Sequence, residues 1–185
     1  MDLHVPGFDG PFAQMTEISI RKACPGDLAA LVAVQLESWR RTYRDELPED
    51  YRNGAMEDDL KALWSAARLD RDLVLVAEIG GKIVGLSGVI LEAGRSAYLD
   101  NLHVAKSAEG QGVGRALLAG TAKAVLAHER TRLHLTVVTG NARALGFYEA
   151  MGGTRKAAIQ DAMFGHAVWA YPIQWDGQAL LRLSD

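Results

Sequence analysis

The stretch Glu109-Gly-Gln-Gly-Val-Gly-Arg-Ala-Leu-Leu118 decides the fold of this 185-residue chain. It sets a glycine-rich turn between a strand-like run, Ala97 to Val104, and an apolar-periodic helix that starts near Val113. Gly110, Gly112 and Gly114 permit backbone angles and close approaches that a Cβ would block, so several peptide N–H groups can converge on one anion. The positive end of the following helix adds to the same point. The stretch therefore reads as a phosphate cradle.

Two commoner phosphate motifs are excluded by their own requirements. A Walker loop ends in Gly-Lys-Ser/Thr, whereas Gly114 is followed by Arg115 and Ala116, which leaves no hydroxyl for magnesium. A dinucleotide fingerprint needs Gly-x-Gly-x-x-Gly, and Arg115 stands where the third glycine should be. Taken alone, so short a motif also fits a chain that merely turns into a helix.

Context downstream strengthens the functional reading. Asn141-Ala-Arg-Ala-Leu-Gly-Phe-Tyr-Glu-Ala-Met-Gly-Gly153 forms a short helix, with Asn141 as N-cap and Gly152 or Gly153 as C-terminal stop. Ala144, Leu145, Tyr148 and Met151 fall near one another at helical spacing, so Tyr148 by itself fits an amphipathic core position.

The order of strand, Leu102-His-Val104, glycine loop, long helix, strand, then Asn141-x-x-Ala-x-x-Phe-Tyr-Glu-x-x-Gly closely resembles the GNAT superfamily of acyl-CoA-dependent N-acetyltransferases. The resemblance runs from about residue 18 to about 175, through Ile20 to Asp27 and Ser38-Trp-Arg-Arg-Thr-Tyr43. It implies acetyl-CoA as co-substrate, bound by the backbone of Leu102, His103 and Val104, by Glu109, Gly110, Gln111, Gly112, Val113, Gly114 and Arg115, and by Asn141. It also implies Tyr148 as the acid that protonates the departing thiolate, and Trp39 and Tyr43 at the acceptor mouth. Glu109 departs from the Arg or Gln that the family prefers. A backbone cradle tolerates an acid pointing outward at some electrostatic cost, which Arg115 on the first helical turn would offset.

Composition bounds the alternatives. A chain that is 49% hydrophobic can bury one substantial core. A formal net charge of −3 without any dense Lys/Arg block argues against nucleic acid as partner. The single cysteine, Cys24, forms no internal disulfide. There is neither a signal-peptide pattern nor a membrane-length apolar run, so no membrane partner is expected and the setting is cytoplasmic. Histidines 4, 128, 134 and 166 lack metal-ligand spacing, and the chemistry needs no metal.

The expected organisation is an α/β (α+β) single domain: a mixed, mostly antiparallel sheet, a central parallel pair splayed for CoA, and flanking helices. Residues 1–15 form a flexible extension, 16–176 the transferase domain and 177–185 a tail. Strands fall at Glu17 to Lys22, Leu73 to Glu78, Lys82 to Leu91 around the hairpin signal Gly80-Gly81, and Ala97 to Val104. Asp27 caps a helix with Leu28, Leu31, Val32, Leu36 and Trp39 on its apolar face, and a second helix covers Met56 to Arg68. After the helix Val113 to Glu129, the strand Arg132 to Val138 runs parallel to Leu99 to Val104 through a right-handed crossover. Thr154 to Gln160 and His166 to Gln174 make a last hairpin, whose final strand leaves an edge that a homodimer would cover.

The acceptor must attack as a neutral amine, and a lysine-like amine of pKa ~10.4 is neutral in roughly one molecule per two thousand at pH 7. A base therefore helps. Asp100 is favoured over His103, the two pointing to opposite faces if the strand is regular, and a bound water with no single base is the remaining alternative. The acids Asp45, Glu46, Glu49, Asp50, Glu57, Asp58 and Asp59 would draw in a cationic small-molecule or peptide amine, or are merely a solvated surface. A non-catalytic acyl-CoA sensor on the same fold is the alternative; it would keep the cradle and have no need of Tyr148.

Overall fold

The computed structural model describes residues 17–43, 48–163 and 166–185. Short alternating or wholly apolar runs give the strands β1 (Ile18–Lys22), β2 (Leu73–Ile79), β3 (Lys82–Leu91) and β4 (Ser96–Val104). Gly80 and Gly81 join β2 to β3 as a two-residue turn, with Ile79 opposite Lys82 and φ of +57° and +75°, the left-handed angles such a turn demands. Further along come β5 (Arg132–Val138), β6 (Thr154–Arg155), β7 (Ile159–Met163) and β8 (His166–Asp176). The sheet order is β1-β2-β3-β4-β5-β8-β6, with β7 also paired to β8, and β4–β5 is its one parallel contact among the described residues.

Helices α1 (Leu28–Thr42), α2 (Glu49–Asn53), α3 (Ala55–Leu63) and α4 (Ala66–Arg71) belong to one side of the sheet. The other side carries α5 (Val113–Ala127) and α7 (Gln178–Ser184), while α6 (Ala142–Ala150) follows β5. β2 shows why its sequence is continuously apolar. Leu73, Leu75 and Ala77 pack with Leu117, Leu118 and Trp175 on the α5 side, and Val74 and Val76 pack with Leu31, Leu60 and Trp64 on the other. Each such Leu or Val contributes roughly 1.5–3 kcal/mol by leaving water.

Several expectations need correction. Asp27 holds the N-cap position of α1, but its side chain makes no cap bond there: its carboxylate accepts from Cys24 N at 2.8 Å and pairs with Arg21 at 2.7 Å. The helix expected over Met56 to Arg68 breaks at Trp64, whose extended backbone turns its ring into the core, and Ser65 then caps α4 by accepting from Arg68 N. The last strand is no free edge, because β8 pairs with β5 on one side and with β6 and β7 on the other. The edge argument for a homodimer falls with it. The segment expected as a tail is α7, whose Leu180 and Leu183 are buried in the core that α5 covers. The expected extension, 1–15, lies outside the described residues, as do Asp45 and Glu46.

The parallel pair is shorter than the sequence suggests. β4 and β5 bond only at Ser96–Arg132, Ala97–Leu133 and Tyr98–His134, and beyond Tyr98 they part.

Candidate active site

A cleft of about 790 Å³ opens where β4 and β5 part, walled by Leu99 to Val104 on one side and Leu135 to Val138 on the other. The glycine loop closes one end. Gly110 and Gly112 adopt φ of +75° and +87°, and Gly112 is the N-cap of α5. Among the described residues none of the six peptide N–H groups from Gly110 to Arg115 is donated to a protein acceptor; Ala116 is the first to bond back, to Gly112 O. Six free donors at the positive end of a 15-residue helix fit a diphosphate. Gly110, Gly112, Val113, Gly114 and Arg115 line the cleft. Gln111 is absent from that lining, since its side chain turns back to donate to Ser107 O at 2.8 Å.

Glu109 is not an outward-pointing acid balanced by Arg115. Its side chain is 15% exposed and meets Arg41 at 2.7 Å, Arg143 at 2.9 Å and Lys106 at 3.3 Å. Hydrogen bonds from Arg143 above all, then Lys106, with the charge of Arg41, hold its carboxyl below the ordinary range. Arg115 takes no part in this cluster.

The β4 wall of the cleft carries an irregularity. Gly88 pairs with Asn101 but Val89 with Leu99, so Asp100 is the extra residue of a β-bulge. The bulge reverses the alternation. Ala97 and Leu99 pack on the α5 side, whereas Asn101 bonds Gln35 and His103 bonds Ser38, both on α1. Asp100, bonded to Arg68 of α4, joins them on that side, so Asp100 and His103 do not point to opposite faces.

A buried relay fixes Asp100, and the donors set its polarity. The Trp64 indole N–H can only donate, and Gln35 Oε1 accepts it at 2.7 Å. Gln35 Nε2 must then donate to Asn101 Oδ1 (2.8 Å), and Asn101 Nδ2 to Asp100 Oδ2 (2.6 Å). Arg68, stacked 4.5 Å over the Trp64 ring, donates to the same Oδ2 at 2.5 Å. Among the described residues Oδ1 of Asp100 takes no hydrogen bond and is left for a ligand.

Tyr148 on α6 is 8% exposed, edge-on to Phe147 and Trp175, and its hydroxyl has no partner among the described residues. Burial, together with the nearby Tyr43 and Tyr98, raises its pKa well above the ordinary phenol range. It keeps its proton at any working pH. His103 is the reverse case: burial, then the charge of Arg41, pushes its imidazole down to about 4, and its Nδ1 lies 3.1 Å from Ser38 Oγ. A neutral imidazole of that pKa is a weak base. Asn141 caps α6 through Oδ1, which accepts from Ala144 N at 3.0 Å, so its amide group is what remains for a ligand.

Trp39 and Tyr43 reach the cleft from the end of α1, with ring centroids 6.1 Å apart. Of the described acids expected to draw in an amine, Glu57 and Asp58 pair with Lys61 and Asp59 accepts from Tyr51. They serve the surface of α3. Sequence reasoning missed Arg41, Arg143, Ser38 and Asp161, which also line the cleft. Only the segment Ser38 to Tyr43 carries a signal for any of them, and its aromatics dominate that signal.

Known proteins resemble this chain in sequence and in fold. The chain is 27% identical over 169 residues to the uncharacterized N-acetyltransferase YuaI of Bacillus subtilis (strain 168), covering 89% of this chain and 96% of that one. Its fold matches PaiA N-acetyltransferase of Thermoplasma acidophilum in complex with coenzyme A, with TM-score 0.72 and 21% identity, over 86% of this chain and 99% of that one. It also matches yncA of Salmonella typhimurium with its cofactor acetyl-CoA, with TM-score 0.65 and 19% identity, over 86% and 94%. Fold and cleft together define an acetyl-CoA-dependent acyltransferase. In particular, the chain belongs to the Acetyltransferase (GNAT) family, whose pattern matches residues 36–153.

Proposed function

We propose that this protein transfers an acetyl group from acetyl-CoA to a primary amine of a small molecule or peptide, by direct attack with both substrates bound. One observation carries the reading: five loop residues whose peptide N–H groups are unpartnered among the described residues line the same cleft as Tyr148, whose hydroxyl is likewise unpartnered and keeps its proton. The bound co-substrate supplies an activated thioester carbonyl and a thiolate leaving group.

The loop Gly110 to Arg115 grips the phosphates through its backbone. The unpaired edge of β4 at Leu102 to Val104, together with the Asn141 amide, aligns the pantetheine arm beside that edge. Trp39 and Tyr43 frame the acceptor. Asp100 receives the acceptor's nitrogen through its free Oδ1, and with His103 only a weak base it is the side chain that draws the proton away. Tyr148 donates its proton to the departing sulfur, a step worth about 10- to 10³-fold because a thiol of pKa ~8.5 already leaves tolerably. A sensor that only bound the co-substrate would have no use for that donor. The reading sets the enzyme in the cytoplasm, where a lone exposed thiol such as Cys24 stays reduced.

Calorimetric titration with acetyl-CoA, followed by CoA release against a panel of amines, tests the reading. Micromolar binding with release for one amine class is expected. Binding without release for any amine would favour the sensor.

A further inference from the structure

We infer that Arg41 and Arg143 form a clamp for the phosphates of CoA at the glycine-loop end of the cleft, and that Glu109 is the positioning residue that holds the clamp in shape; the inference rests on the acetyl-CoA reading. The two arginines come from α1 and the start of α6, 68 and 34 residues from Glu109, and the carboxylate holds both. Arg41 Nη2 donates to Oε1 at 2.7 Å, Arg143 Nη1 reaches the same oxygen at 3.2 Å, and Arg143 Nη2 lies 2.9 Å from Oε2. All three residues line the cleft with the glycine loop that begins at Gly110. A guanidinium has five donors, and Arg41 has committed one to Glu109 and one, at 3.4 Å, to Glu37. Its remaining donors, with those of Arg143, stay available to phosphate oxygens.

Charge points the same way. Arg41, Arg143, Lys106 and Arg115 stand against Glu109 and Glu37, so the rim keeps a positive excess although an acid sits at its centre. The acid removes a rotamer penalty. A free arginine would have to be ordered when the anion arrives, whereas one already held by Glu109 has lost that freedom on folding. Arg41, at 31% side-chain exposure against 71% for Arg143, is the better-fixed arm.

The sign of one substitution separates this role from plain repulsion. If Glu109 only repelled the phosphates, Glu109→Gln would tighten CoA binding; as the holder of the clamp, it must loosen it. Calorimetry with CoA should give a Kd raised about three- to tenfold in Glu109→Gln and about tenfold or more in Arg41→Ala, with partial recovery in Arg41→Lys. The preference for acetyl-CoA over acetyl-pantetheine, as the ratio of kcat/KM values, should fall by a similar factor, which a merely structural defect would leave unchanged. Tighter binding in Glu109→Gln, an unaltered Kd in Arg41→Ala, or an unaltered donor ratio would overturn the clamp. A wild-type protein that bound no CoA would instead sink the acetyl-CoA reading itself.

Discussion

The two ends of the cleft are built differently. The end closed by the glycine loop is built around backbone: its free peptide N–H groups belong to the consecutive residues Gly110 to Arg115, with the Arg41–Glu109–Arg143 cluster beside them. The end proposed for the acceptor is made of side chains gathered from Gln35, Trp64, Arg68, Asp100 and Asn101, each fixed by the next. Backbone chemistry leaves its mark on local sequence because glycine is needed wherever φ is positive or a ligand approaches closely. Side-chain chemistry of this kind leaves none, since any one of those residues alone is an ordinary core or surface polar.

Substitutions should respect that division. The largest effect falls at the backbone end. Gly112→Glu forces a side chain onto φ of +87° at the helix N-cap and sets a negative charge among the free donors, so calorimetry should show acetyl-CoA binding weakened by more than about 100-fold. Unchanged affinity would remove the loop from the site.

Tyr148→Phe comes next and lies between the two ends. It should lower kcat about 10- to 10³-fold while the acetyl-CoA Kd holds, because only the proton donor is deleted. The raised pKa gives a second check: kcat should show no alkaline fall below about pH 10 that traces to this residue. Equal loss of turnover and affinity would mean a structural tyrosine.

Gln35→Leu tests the side-chain end alone. Gln35 is fully buried, and the change strands the Trp64 N–H and the Asn101 carbonyl, at about 1–3 kcal/mol each. The melting temperature should fall and the KM for the amine should rise as Asp100 loses its support, with the acetyl-CoA Kd left alone. A shift in that Kd would show the two ends to be one unit.

The smallest effect is pH-dependent. His103 titrates near 4 in the fold against 6.5 when free, so the unfolded chain takes up a proton that the folded one refuses. Stability from this group is present above pH 6.5 and is lost as pH falls toward 4. Allowing for partial exposure, the loss is about 1–2 kcal/mol, and His103→Asn should flatten the melting-temperature curve in that window.

How far the sequence could be read follows from the same contrast. Strand β5 begins and ends where its apolar alternation does, and the N-cap role of Asn141 is met by its bond to Ala144 N. The family and the sheet with its parallel pair were likewise legible, because they rest on consecutive residues. The bulge at Asp100 was not, for it is set by how β3 pairs across Gly88 and Val89. Nor was the role of Glu109 in holding three cations, two of them from distant helices. A lone acid in a glycine loop looks like a defect until α1 and α6 are folded against it. Helix α7 was missed for a related reason: Leu180 and Leu183 become core only once α5 offers them a surface.

The parting of β4 and β5 has a consequence for the life of the protein in a cell. Beyond Tyr98 the facing edges of both strands hold backbone donors and acceptors that find no strand opposite. An empty molecule thus carries an open seam through the middle of its sheet, which an extended segment of another chain could enter. A ligand lying along the seam closes it and stabilises the fold by mass action. Resistance to proteases should then rise with the concentration of the acyl donor.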